Sequence, residues 1–143
     1  MAVYISCSPE DTKRIASDLG KSLVPGDVVA MFGGMGMGKT AFTHGLALGM
    51  GIDDSCVSSP TFALVHEYGN KNKLYHFDMY RIESWDDLYS TGFFDYIDAN
   101  GILAVEWSEN IINALPDDYI KVEFKKGDDD NKRIITIEKG EHK

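Results

Sequence analysis

Short apolar runs alternate with polar breaks along this chain, and the period of each run assigns its element. Ala2 to Ser6 alternates weakly and reads as an edge strand. Ser8-Pro9-Glu10-Asp11 opens a helix: Ser8 can cap, Pro9 suits the first helical position, and Asp11 stands where a capping box wants an acid. Ile15, Leu19 and Leu23 form its apolar stripe and carry it to about residue 23. After the Pro25-Gly26 turn, Asp27 to Phe32 is a compact apolar run suited to a buried parallel strand. Phe42, Leu46 and Met50 then recur on one helical face, with Gly49 and Gly51 as the stop. Phe62 to Tyr68 and Lys73 to Asp78 flank the turn Gly69-Asn70-Lys71-Asn72 and predict a hairpin. Ser84 caps a short helix with Asp87 three residues on; Gly92 breaks it, and Phe93 to Ile97 makes another turn. Gly101 to Trp107 is a second candidate for a buried parallel strand, followed by a brief helix from Ser108-Glu109-Asn110 that closes before Pro116. Tyr119 to Lys126 and Lys132 to Glu138 alternate at period two about Gly127 to Asn131, a final hairpin.

Strands alternating with helices, and hairpins at the ends, predict one α/β domain over residues 1–143, three layers deep, with a mixed central sheet. Its length suffices for a real core. No stretch approaches the roughly twenty apolar residues of a membrane span, and the N-terminus lacks the basic and long apolar regions of a signal peptide. Cys7 and Cys56 have no ligand-like spacing and suit a reducing, cytoplasmic setting. His44, His66, His76 and His142 have no metal-ligand spacing either, and His76 reads as a hydrogen-bonded core residue. The formal net charge of −9 argues against a surface built to grip nucleic-acid phosphates.

One segment is poised for anions. Gly33-Gly34-Met35-Gly36-Met37-Gly38-Lys39-Thr40 fits G-x-x-x-x-G-K-[ST], between a buried-strand run and a helix. The glycines let main-chain N–H groups converge on a triphosphate without side chains in the way. Lys39 supplies a compact cation for the β- and γ-oxygens, and the Thr40 hydroxyl is placed for Mg2+. The wrapping segment is Gly34, Met35, Gly36, Met37, Gly38, Lys39, Thr40 and Ala41, with both methionine side chains turned away from phosphate and the positive end of the following helix dipole behind it. The expected ligands are therefore ATP or ADP with Mg2+.

Phosphoryl transfer also needs an acid at a neighbouring strand end. Asp78 and Glu106 each close an apolar run, and either can hold the metal, directly or through water; the other can orient the attacking water or accept its proton. Thr61, in Ser59-Pro60-Thr61, sits where nucleotide switches sense the γ-phosphate. Trp107 can stack on something planar or be half-buried, Arg81 can reach phosphate or a partner, and Thr12 can face the base or simply occupy a helix surface.

Gly33 to Thr40, Ser59-Pro60-Thr61, His76-Phe77-Asp78-Met79-Tyr80-Arg81 and Val105-Glu106-Trp107, in this order, resemble the TsaE (YjeE) family, small bacterial ATPases of tRNA threonylcarbamoyladenosine synthesis. The resemblance implies a P-loop NTPase-like fold that binds ATP and hydrolyses it slowly with Mg2+. It also implies action with TsaB and TsaD on position 37 of tRNA, with the tRNA met only through the complex. By position it makes Lys39, Asp78, Glu106 and Thr61 catalytic, Thr40 and Glu106 the metal site with Asp78 as the Walker B-like acid, and Thr12 and Trp107 nucleotide contacts. Ser108 departs from the proline common after the tryptophan. A small-molecule kinase would share the loop, but Arg14, Arg81 and Arg133 are too few and too scattered for an arginine lid. A nucleotide-gated binding module is a further alternative. A GTPase is disfavoured, because Asn70-Lys71-Asn72-Lys73 puts a donor-only lysine where guanine needs an acceptor.

Overall fold

The computed structural model describes residues 1–140 except 35, 54, 56, 58–64 and 70. The elements are β1 (Ala2–Ser6), α1 (Pro9–Gly20), β2 (Val28–Phe32), α2 (Lys39–Gly49), β3 (Val65–Tyr68), β4 (Leu74–Asp78), α3 (Trp85–Ser90), α4 (Phe93–Ile97), β5 (Ile102–Glu106), a 3-10 segment (Ser108–Ala114) kinked at Ile111, β6 (Ile120–Lys126) and β7 (Arg133–Glu138). All seven strands join one mixed sheet in the order β1-β7-β6-β2-β5-β4-β3. Its centre is parallel: β2 pairs with β5 and with β6, and β4 with β5. The margins are antiparallel, through the hairpins β3–β4 and β6–β7 and through β1 against β7.

Alternation along β2 explains the three layers. Val29 and Met31 face α1 and α2 with Ile15, Leu19, Phe42 and Leu46, while Val28, Ala30 and Phe32 face α3, α4 and the 3-10 segment with Leu88, Phe93 and Ile111. Residues buried on both faces are what a central parallel strand requires. The expected α/β sandwich with a mixed sheet and two hairpins is the observed one.

The N-terminal helix begins as its sequence dictates. Asp11 N–H donates to the Ser8 hydroxyl at 3.1 Å, and Asp11 Oδ2 in return accepts from Cys7 N–H at 3.0 Å. That bond is also the main reason the Asp11 carboxyl lies below its ordinary pKa. The helix stops at Gly20, three residues short of the expected end, and Leu23 packs onto the core from the turn beyond. A second departure from the sequence reading lies in how α1 meets α2. Gly20, Gly45 and Gly49 bring the two backbones together: a Cβ on Gly45 would stand 2.2 Å from Lys13 O, and one on Gly49 2.2 Å from Ser17 O. Gly49 thus serves a close helix crossing, and the left-handed turn is made by Gly51 at φ +81°.

Candidate functional site

Three parallel strands end on one side of the sheet. The loop after β2 runs straight into α2, whose first turn has neither a side-chain cap nor an acidic residue, leaving its N–H groups to the loop. Gly36 and Gly38 hold φ of +72° and +96°. Gly33 holds +136°, and a Cβ there would lie 2.8 Å from Phe124 O of the neighbouring β6. The glycines are therefore demanded by backbone shape and by crowding against the sheet.

The strand register brings the two acids together. Asp78 and Glu106 are directly paired residues of β4 and β5, both under a tenth exposed. With Gly34, Gly38, Lys39, Thr40 and Trp107 they line a cavity of about 560 Å3. Asp78 Oδ1 accepts from Tyr80 N–H at 2.9 Å, and Glu106 Oε2 lies 2.5 Å from His76 Nε2. His76 is fully buried on β4, as a hydrogen-bonded core histidine should be, and it holds the Glu106 carboxylate from behind.

Lys39 is the most telling group. Only 5% exposed, its ammonium has no hydrogen-bond partner among the described residues, and it sits 3.9 Å from the centroid of the Trp107 ring. Burial holds it below the usual lysine range, against the opposing pull of Glu109, Glu106 and Asp78. Trp107 reaches this position through a left-handed backbone, φ 58° and ψ 42°, that turns the chain sharply as β5 ends. Half-buried, it packs on Tyr80 with ring centroids 4.9 Å apart. Ser108 fits the turn because its buried hydroxyl donates to Val105 O at 2.9 Å. A buried cation with no ion pair among the described residues, uncapped helix amides and paired carboxylates are a donor set matched to a phosphate chain and a hard divalent cation.

Thr12 is not a surface residue. It is 3% exposed, its hydroxyl lies 2.6 Å from that of Ser6, and it faces the loop across from Gly38. It does not line the main cavity but a smaller one of about 200 Å3, behind the loop, shared with Gly36, Met37, Gly38, Ala41 and Arg133. Two of the three arginines are drawn to the loop, contrary to their scatter in the sequence. Arg81 lines the main cavity, and Arg133 donates to Gly36 O at 3.1 Å. Met37 borders both cavities and also packs partly buried against the core. Glu109, which no motif singled out, accepts from Gly33 N–H at 2.8 Å. Met35 and Thr61, with the rest of Ser59-Pro60-Thr61, lie outside the described residues. Among the described residues no helix is long and apolar enough to cross a membrane.

The family model for "Threonylcarbamoyl adenosine biosynthesis protein TsaE" matches residues 6–135. The tRNA threonylcarbamoyladenosine biosynthesis protein TsaE of Treponema pallidum is 35% identical over 132 residues, covering 92% of this chain and 97% of that one. The Bacillus subtilis protein of the same name is 39% identical over 128 residues, covering 89% and 79%. The crystal structure of Bacillus subtilis YdiB matches with a TM-score of 0.75 at 32% identity, over 95% of this chain and 83% of that one. Sequence and fold agree across nearly the whole length: the chain belongs to the TsaE family of tRNA threonylcarbamoyladenosine biosynthesis.

Proposed function

We propose that this chain binds ATP with Mg2+ and hydrolyses it slowly, acting with TsaB and TsaD in forming threonylcarbamoyladenosine at position 37 of tRNA. The observation that carries the reading is the buried Lys39 ammonium, without a hydrogen-bond partner among the described residues and enclosed with the loop amides and two strand-end carboxylates. An ammonium in such a place is costly unless a ligand anion completes it.

Each residue then has a task. The loop N–H groups and Lys39 bind and orient the phosphate chain. Thr40, Asp78 and Glu106 would hold the metal, which when bound neutralises charge on the phosphoryl oxygens. Whichever of the two acids is less engaged there orients water and accepts its proton, and the His76 contact fixes the direction of the Glu106 carboxylate. Trp107 closes one wall over Lys39, and Thr12, behind the loop, serves the base side. Thr61 is the γ-phosphate sensor in this reading. The −9 net charge supports a subunit that meets tRNA only through its partners.

The test is nucleotide binding and phosphate release by purified wild-type and Lys39→Ala protein, with and without Mg2+, beside a pull-down with TsaB and TsaD. Magnesium-dependent turnover that rises with the partners and vanishes in Lys39→Ala is expected. A wild-type protein that binds no nucleotide would end the proposal, and turnover indifferent to the partners would end its second half.

A further inference from the structure

The layer of α3, α4 and the 3-10 segment has an outer surface that neither the core nor the nucleotide site uses. Trp85 and Tyr89 of α3 are 53% and 64% exposed. With Phe94 of α4 they form one aromatic cluster: the Trp85 and Phe94 rings stack within 17° of parallel, and the Tyr89 and Phe94 centroids are 5.0 Å apart. The cluster is anchored. Phe94 packs edge-on against the buried Phe93, and α3 opens with a reciprocal cap in which Ser84 accepts from Asp87 N–H and Asp87 from Glu83 N–H. Beside Trp85 a recess of about 210 Å3 opens between α3 and the 3-10 segment, lined by the buried Leu88 and Ile111 and bordered by Glu83 and Glu109. Rigid exposed aromatics beside a preformed recess are what the centre of a protein interface is made of.

The charge around the cluster says what covers it. Residues 82–120 hold nine carboxylates and no Lys, Arg or His. Glu83, Asp86, Asp87 and Asp95 are exposed and have no ion pair among the described residues. Arg81, the cation just ahead of this segment in the chain, lines the nucleotide cavity instead. Such a rim repels nucleic acid and anionic membranes, and it repels a second copy of itself. It complements a protein surface that is apolar at its centre and basic at its edge. We infer that α3, α4 and the 3-10 segment form the docking face for a protein partner, and that the partner presents an Arg or Lys to the recess beside Trp85. There an apolar stem meets Leu88 and Ile111, and the cation meets the indole, Glu83 and Glu109. This inference rests on the proposed action with TsaB and TsaD and names the surface through which it occurs. Glu109 also accepts from Gly33 N–H, so the docking face adjoins the phosphate loop.

The test titrates immobilised TsaB and TsaD with wild-type protein, Trp85→Ala, Asp86→Lys and, as a matched control in the opposite layer, Asp18→Lys of α1. Trp85→Ala is expected to weaken binding about thirtyfold. Asp86→Lys should slow association about threefold at low salt, and the effect should fade at high salt. It disturbs no packing, so it decides the matter if Trp85→Ala loses its fold. Asp18→Lys should bind within about twofold of wild type. Trp85→Ala and Asp86→Lys both binding as wild type does overturns the inference. So does an equal loss in Asp18→Lys, which would mark a general effect of net charge. Binding of tRNA by the wild-type protein alone, weakened in Trp85→Ala, would assign the face to nucleic acid and overturn it too. A wild-type protein that binds neither TsaB nor TsaD overturns the partner reading and this inference with it.

Discussion

Replacing Lys39 by methionine should make the nucleotide-free protein more stable while abolishing its use of nucleotide. The ammonium is 5% exposed and has no hydrogen-bond partner among the described residues, so the folded state carries a desolvated charge. Three carboxylates and the Trp107 face offset part of that cost. Burial nonetheless prevails, since the group's pKa is lowered on balance. Nor does the substitution strand the carboxylates: Glu106 keeps His76, Asp78 keeps Tyr80 N–H, and Glu109 keeps Gly33 N–H. Methionine fills the same stem volume and keeps a favourable contact with the indole. A gain of about 1 kcal/mol is expected near pH 7, or about 3–4 °C in Tm for a domain of this size. The sign with pH follows from the lowered pKa. Between the folded value and the usual 10.5 the unfolded chain binds more protons, so the wild-type protein recovers stability as pH rises through that window. The variant's advantage is full below the window and fades toward 10.5. Urea unfolding of both proteins without nucleotide, over a pH series, measures it. Saturating nucleotide should invert the order, since ligand at a hundred times Kd adds about 2.7 kcal/mol to the wild-type protein alone. A variant less stable than wild type by more than about 1 kcal/mol would refute the reasoning, because it would mean that the carboxylates' attraction exceeds the cost of burial.

Gly45→Ala should cost about 3 kcal/mol, since its Cβ would stand 2.2 Å from Lys13 O and 2.6 Å from Ala16 Cβ; a urea midpoint close to wild type would show that α1 and α2 can part. On the proposed function, Glu106→Gln should lower phosphate release measured with TsaB and TsaD about 100-fold, and a rate within threefold of wild type would move the proposed role to Asp78.

Local chemistry was the legible part. Ser8 and Ser84 cap their helices as serine does, each accepting from the N–H three residues on, and the apolar runs at β2, β4 and β5 are buried residue by residue. The loop glycines could be read for the same reason, because a positive φ and crowding against the sheet call for glycine, and the strand-end acids because each closes an apolar run. Thr12 could have been placed as well. It precedes Ile15 and Leu19 at helical spacing and so shares their buried face. The positions of Glu109 and Arg133 depend on strand order. Arg133 reaches Gly36 because its hairpin partner β6 lies beside β2, and Glu109 reaches Gly33 because β5 flanks β2 on the other side. Neither adjacency leaves a mark in the residues themselves. The glycines of α2 misled for a related reason: a helix stop and a close helix crossing call for the same residue, and only the partner helix tells them apart.

The indole above the ammonium gives the molecule an optical reporter of its own. The chain has two tryptophans: Trp85 is 53% exposed beside Tyr89 and Phe94, and Trp107 lies half-buried against Lys39. Emission from the first supplies a red-shifted, constant background, while the second feels any anion that draws the lysine away from its ring. Titrating unlabelled protein with ligand and watching the blue edge of the spectrum would follow occupancy directly, with Trp85→Phe isolating the signal.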